Sequence, residues 1–183
     1  VAKTRSMDGK SKHDDETGRG SRRMKAIILA GGRGKRLEPV TDVLPKPLLP
    51  IGGRPILSII FEGLEAAGVH DVAIVVGHLG ERVRSYVGDG QAFGVRVTYF
   101  EQPEQLGSGD AIVRAVDFID DTVMVIAGDT GFSPSHIKGL ADFHRDRGAE
   151  VSLCLKRMTP EGLASTSSVR LEDDNRITGF VEK

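Results

Sequence analysis

Lys25-Ala-Ile-Ile-Leu-Ala-Gly-Gly32 is the stretch on which the reading of the fold turns. A short unbroken apolar run closed by glycines lacks period-two alternation, so it predicts a strand buried on both faces. Strands of that kind sit in parallel sheets covered by helices, and the residues downstream supply the helices. Residues 55–68 predict one, with Pro55 at its start, Ile56, Ile59, Ile60, Leu64 and Ala67 on one face, and Gly68 at its end. Residues 71–76 predict a second buried strand, 79–87 a helix, 95–100 a strand and 108–118 a helix. Residues 122–127 follow as a buried strand, 134–147 as a helix and 150–155 as a strand. Strands alternating with helices indicate βαβ units and a mainly parallel sheet, an α/β architecture. Residues 167–171 and 177–181, around Asp173, Asp174 and Asn175, predict a hairpin instead.

Upstream, residues 1–23 mix seven Lys and Arg side chains with Asp8, Asp14, Asp15 and Glu16, and hold almost no large apolar residue. Such a segment cannot bury enough surface to offset its ordering entropy. A disordered, solvated tail is therefore expected over residues 1–23 and one domain over residues 24–183. The chain of 183 residues is 39% hydrophobic and 28% charged with a formal net charge of -1, an ordinary globular balance. This balance makes no case for a nucleic-acid partner, and no apolar run approaches the ~20 residues of a membrane span. The N-terminal residues contain no secretory-type hydrophobic stretch, so a cytoplasmic protein is expected. Cys154, the only cysteine, excludes an internal disulfide and is expected as a small buried strand residue.

Ligands of open α/β sheets bind beyond the carboxyl ends of the strands, so the loop after the first strand is the place to look for chemistry. It runs Gly31-Gly-Arg-Gly-Lys-Arg-Leu-Glu-Pro-Val-Thr-Asp-Val-Leu-Pro-Lys-Pro-Leu-Leu-Pro-Ile-Gly-Gly53. It is not a P-loop, because Gly34-Lys35 is followed by Arg36. It is not a dinucleotide fingerprint either, because Leu37 stands where the third glycine is needed. Gly31, Gly32 and Gly34 nevertheless permit a tight turn whose N–H groups can face phosphate oxygens. Arg33, Lys35, Arg36 and Lys46 add positive charge, and arginine suits bidentate phosphate binding. Pro39, Pro45, Pro47 and Pro50 fix φ and remove donors, leaving an open strap that carries Lys46 back toward the strand ends. The bland alternative, a solvated basic loop, does not account for strand, glycines, Arg36 and Pro-Lys-Pro arriving together.

Leu29-Ala-Gly-Gly-Arg-Gly-Lys-Arg-Leu-Glu-Pro-Val-Thr41 followed by Pro45-Lys-Pro-Leu-Leu-Pro50 resembles the signature of the sugar-1-phosphate nucleotidylyltransferases. The resemblance extends from Met24 to the last residue. It implies a Rossmann-like, three-layer α/β/α fold of GT-A type with a mainly parallel mixed sheet. It also implies transfer of a nucleotidyl group from an NTP to a sugar 1-phosphate, with pyrophosphate leaving. Leu29, Ala30, Gly31, Gly32, Gly34 and Lys35 would hold the nucleotide, Arg36 the departing pyrophosphate, and Lys46 the phosphates at the reacting centre.

Three further stations carry the same resemblance. In Glu101-Gln-Pro-Glu-Gln-Leu-Gly-Ser-Gly-Asp-Ala111, Gly107 and Gly109 let a flat base approach the backbone and Gln102 can bond its edge. Gln102 and Gly107 match the family's base-recognition segment, with Ser108 beside them. The competing reading is a strand-to-helix turn with Ser108 as the helix cap. Val125-Ile-Ala-Gly-Asp-Thr130 ends a strand with a carboxylate suited to holding Mg²⁺ against phosphates, and Asp129 matches the family's metal ligand. Gly179-Phe-Val-Glu-Lys183 resembles the family's Glu-Lys station, which assigns Glu182 to the sugar and Lys183 to its phosphate. Family members continue past this point with another acidic metal ligand and more of the sugar pocket, so the domain is expected to be truncated on its sugar side. Residues 163–169 also lack the Tyr-Gly that lines many family sugar pockets.

The expected catalytic set is therefore Arg36, Lys46, Asp129 and Lys183, with Mg²⁺ as cofactor. UTP or dTTP is mildly preferred from Gln102, and a homo-oligomer is left open. Two rivals stand beside this: a CTP-dependent transferase for a phosphorylated alcohol such as phosphocholine, and a non-catalytic regulatory subunit. His70, His78, His136 and His144 are expected to be structural or exposed.

Overall fold

The computed structural model describes residues 23–163 and 166–181. The tail expected over residues 1–23 therefore falls almost wholly outside the described residues, and Glu182 and Lys183 do too. Packing divides the chain into two compact units, one ending at Lys138 and the other running from Gly139 to Lys183.

In the first unit, β1 (Lys25–Ala30) is followed by three single-turn 3-10 helices and a small ribbon of β2 (Pro50–Ile51) and β3 (Arg54–Pro55). Helix α1 (Ile56–Ala66), β4 (Asp71–Val76), α2 (Gly80–Val87), β5 (Arg96–Glu101), α3 (Ser108–Arg114) and β6 (Val123–Ala127) complete it, and α4 (Pro134–Arg147) begins in it. The sheet order is β5-β4-β1-β6, and every pairing within this sheet is parallel. Antiparallel pairing occurs in the separate two-stranded ribbons.

The central pair explains the apolar runs. β1 and β4 each have a neighbour on both sides, so their backbone groups are paired and both of their faces can be covered. Ile27, Ala73 and Val75 on one face pack with Ala111 and Ala115 of α3 and the turn after it. Alternation sends Ala26, Ile28, Val72 and Ile74 to the opposite face, where they are also fully buried. Helix α1 buries Leu57, Ile60, Phe61 and Leu64 completely, at helical spacing. Burying such side chains contributes about 1.5–3 kcal/mol each.

β6 departs from expectation. The run 122–127 predicts a buried strand, yet Val125 is 42% exposed and Ala127 is exposed as well. Among the described strands β6 pairs with β1 alone and lies at the sheet edge, so an apolar run did not here mean a central position. Helix α3 also ends at Arg114, with residues 116–118 forming a separate 3-10 turn.

The second unit contains the rest of α4, the short α5 (Pro160–Leu163), and an antiparallel hairpin of β7 (Ser168–Leu171) and β8 (Ile177–Val181). Its turn follows the expected residues: Asn175 takes a left-handed φ of 67°, and the Asp174 carboxylate accepts from Arg176 N–H. The strand expected at 150–155 is not formed. Val151, Leu153 and Leu155 alternate as a strand would, but they are exposed and no described strand pairs with them. Alternation is a preference that pairing must realise. Cys154 is accordingly exposed, not a buried strand residue. No helix among the described residues is long and apolar enough to cross a membrane.

Candidate active site

Parallel strands deliver their carboxyl ends to one edge, and there the first unit opens a cleft of about 370 Å³. Leu29, Ala30, Gly31 and Gly32 from the end of β1 line it, with Ala127 and Asp129 from the end of β6. Lys46 and Pro47 reach it from the strap, and Gln102, Gln105, Gly107, Ser108 and Ala111 from the β5–α3 connection. Most residues expected to handle a nucleotide are thus brought together by topology.

The strap is fastened at three places. Thr41, fully buried, donates its hydroxyl to Gly34 O at 3.0 Å. His78 Nε2 lies 3.1 Å from Thr41 O, an acceptor, so Nε2 is the donor of that bond. Lys46 Nζ donates to Asp129 Oδ2 at 2.9 Å, closing the strap onto the end of β6. The Lys46 stem crosses Gly34, where a Cβ would stand 2.7 Å from Lys46 Cε and 2.9 Å from the Thr41 methyl. With φ at +75°, glycine is required there twice over, by conformation and by space.

Lys35 and Arg36 follow on an exposed single-turn 3-10 helix, Lys35–Leu37, and do not line the cleft. Arg33 pairs loosely with Glu38 at 3.8 Å. The charged rim is exposed and separate from the Lys46–Asp129 pair. That pair is itself partly exposed, at 27% and 42%, so its net contribution to stability is small.

The opposite wall is neutral and fixed. Gln102 is only 6% exposed, and its Nε2 donates to Gly107 O at 3.0 Å and to Asp110 Oδ2 at 2.8 Å. Gln105 Nε2 reaches across to Gly31 O at 3.2 Å. Gly107, at φ 99°, is the residue before α3, and no side chain caps that helix. Ser108 is therefore not the cap; it is the first helical residue and faces the cleft. The Gln102 amide, aided by the Arg114 guanidinium, holds the Asp110 carboxyl below the usual carboxylate range against the opposing effect of burial.

Gln105 and Asp110 are site residues that sequence reasoning passed over. Gln105 carried a signal, a second hydrogen-bonding amide in the segment that contains Gln102; Asp110 does not line the cleft and enters only through its bond to Gln102. Like His78, the histidines at 70, 136 and 144 have local partners: His70 meets Gly94 O, His136 meets Ser133 and His144 meets Ser152. Among the described residues no group of three or more His, Cys, Asp or Glu could hold a metal ion by itself.

The profile of the nucleotidyl transferase family matches residues 25–183. The chain belongs to that family. Similar proteins include a UTP–glucose-1-phosphate uridylyltransferase of Synechocystis, 35% identical over 87% of this chain and 44% of the relative. A mannose-1-phosphate guanylyltransferase of Mycobacterium tuberculosis is 33% identical over 86% of this chain and 44% of its own length. A solved Bacillus anthracis structure, described as a glucose-1-phosphate thymidylyltransferase in complex with a sucrose, superposes with a TM-score of 0.72 at 31% identity. That alignment covers 87% of this chain and 64% of the other. The chain spans less than half the length of these two curated relatives. Three relatives name three different bases, so family membership alone leaves the base to the site.

Proposed function

We propose that this chain carries the donor site of a sugar-1-phosphate nucleotidyltransferase. An anionic oxygen of the sugar 1-phosphate attacks the α-phosphorus of the NTP. The new O–P bond forms as the bond to the bridging oxygen breaks, and that electron pair leaves with pyrophosphate. The nucleophile is already deprotonated, so the step needs no general base. Positioning and neutralisation of charge carry the catalysis. The relatives named above act in this class, and the observation that carries the proposal is the convergence of Gly31, Gly32, Lys46, Gln102 and Asp129 on one cleft.

In this reading Gly31 and Gly32 bring backbone against the phosphates, with Leu29, Ala30, Gly34 and Lys35 completing that side. Lys46 holds the reacting phosphates, and Arg36 meets the departing pyrophosphate. Glu182 and Lys183 are assigned to the sugar and its phosphate.

Mg²⁺ fits the residues present, because Asp129 offers a partly exposed hard oxygen and a cationic Nζ already lies 2.9 Å from it. Mg²⁺ is usually held by one or two carboxylates together with substrate phosphates and waters. When bound, the ion would neutralise phosphate charge. Asp129 would supply one protein ligand.

The base assigned is uracil or thymine. Both Gln102 amide hydrogens go to acceptors, so Oε1 remains to accept an imide N–H. Such a donor nucleotide is a cytoplasmic metabolite, and the cytoplasm is the compartment assigned. The test is pyrophosphate release from UTP or dTTP with Mg²⁺ across a set of sugar 1-phosphates. Release with at least one sugar is expected, and no release with any NTP–sugar pair would overturn the proposal.

A further inference from the structure

Gln102 could read a base with either end of its amide, and which end it shows decides what it reads. An amide oxygen accepts an N–H, as uracil N3 provides; an amide nitrogen donates to a lone pair, as cytosine N3 provides. The two pyrimidines have the same size and differ at that edge. Specificity between them therefore depends on the group that fixes the amide.

Two acceptors surround Gln102 Nε2, the Gly107 carbonyl at 3.0 Å and the Asp110 carboxylate at 2.8 Å. A flipped amide would set Oε1 against both. Against Gly107 O this costs a neutral hydrogen bond; against Asp110 it costs a charge-assisted one, roughly twice as strong, and adds repulsion. Oε1 lies beside Gly31, which with Gln102 lines the cleft; a Cβ on Gly31 would stand 3.1 Å from it. Asp110 is itself tethered, its other oxygen 3.4 Å from Arg114 Nη2 one helical turn away. Its carboxyl is held below the usual carboxylate range by these partners, so it stays ionised at neutral pH.

We propose that Asp110 is a positioning residue for base selection: its carboxylate locks the Gln102 amide with Oε1 facing the cleft, and so admits imide bases and rejects cytosine. The inference rests on the donor-site reading above. Asp110 touches no substrate in this account. It acts through Gln102 alone.

The test is equilibrium binding of UTP and CTP, each with Mg²⁺, to the full chain and to Asp110→Ala and Asp110→Asn. The expected result is that wild type binds UTP more tightly, and that Asp110→Ala narrows the UTP:CTP ratio of Kd values at least tenfold, mainly by binding CTP better. Asp110→Asn keeps an acceptor but gains a donor, so it falls between the two. A merely structural role would weaken both nucleotides together and leave the ratio alone. An unchanged ratio in a folded Asp110→Ala variant, or a wild type without UTP preference, overturns the role of Asp110 and leaves the donor site standing. Failure of wild type to bind UTP, CTP and, as a control, dTTP overturns the donor site and this inference with it.

Discussion

On one wall of the cleft Lys46 and Asp129 face each other as partly exposed charges, 27% and 42% exposed; on the other Gln102 is neutral and 6% exposed. The first wall is a contact that a ligand must rearrange, because a phosphate and a cation compete for the same two groups. The second is held by three partners before any ligand arrives. The difference teaches a division of labour. On the proposed function, charges free to re-pair would stabilise what develops during reaction, while a locked amide would read what is already present in the substrate.

The largest effects should therefore fall on turnover at the charged wall. Asp129→Asn and Lys46→Ala are each expected to lower kcat on the order of 10²–10³-fold, ~2.7–4 kcal/mol by analogy with deletion of an oxyanion-hole donor, in a pyrophosphate-release assay. Arg36→Ala should act in the same direction; a value within about threefold of wild type would remove Arg36 from the mechanism.

At the neutral wall, Gln102→Ala should weaken UTP binding about tenfold, ~1.4 kcal/mol, with a smaller change in kcat, measured by calorimetry and steady-state kinetics. If kcat fell as far as in Asp129→Asn, the contrast between the walls would break. Gly34→Ala sits between the two. The strained φ should lower stability by about 1–3 kcal/mol, and displacement of the Lys46 stem should slow turnover as well. Thermal unfolding separates the first effect from the second.

The smallest effect concerns pH. Hydrogen bonding from Lys25, at 2.7 Å, is the leading cause of the lowered Asp120 pKa, with burial opposing it. A lowered folded pKa means stability that is present above the ordinary carboxylate pKa and lost as pH falls through the folded value. The difference in unfolding temperature between wild type and Asp120→Asn should thus be present at neutral pH and shrink on acidification. A difference that grows on acidification would contradict the assignment.

How far the sequence could be read follows the same physics. β1, β4 and α1 were legible because each makes its burial pattern locally, as a continuous run or a helical stripe. Residues 150–155 were not, since Val151, Leu153 and Leu155 alternate correctly but strands exist only by pairing. β6 was found but misjudged, because an apolar run does not state how many neighbours a strand has. At the site, Asp129 stood out as a carboxylate at a strand tip and Gln102 as a polar residue amid glycines. Asp110 did not, because an acidic residue in the first turn of a helix has an ordinary explanation in the helix dipole. Its bond to Gln102 requires the β5–α3 connection to fold back on itself, which no local pattern announces. Glu182 and Lys183 lie outside the described residues, and their roles are proposals carried by resemblance alone.

Amide hydrogen exchange with and without UTP and Mg²⁺ tests the central claim most directly, since it reports binding and its location together. The account predicts slowed exchange in residues 29–34 and 102–111, the two walls, with the hairpin at 168–181 unchanged by the nucleotide alone. Binding that protects neither wall, or no binding at all, would contradict it.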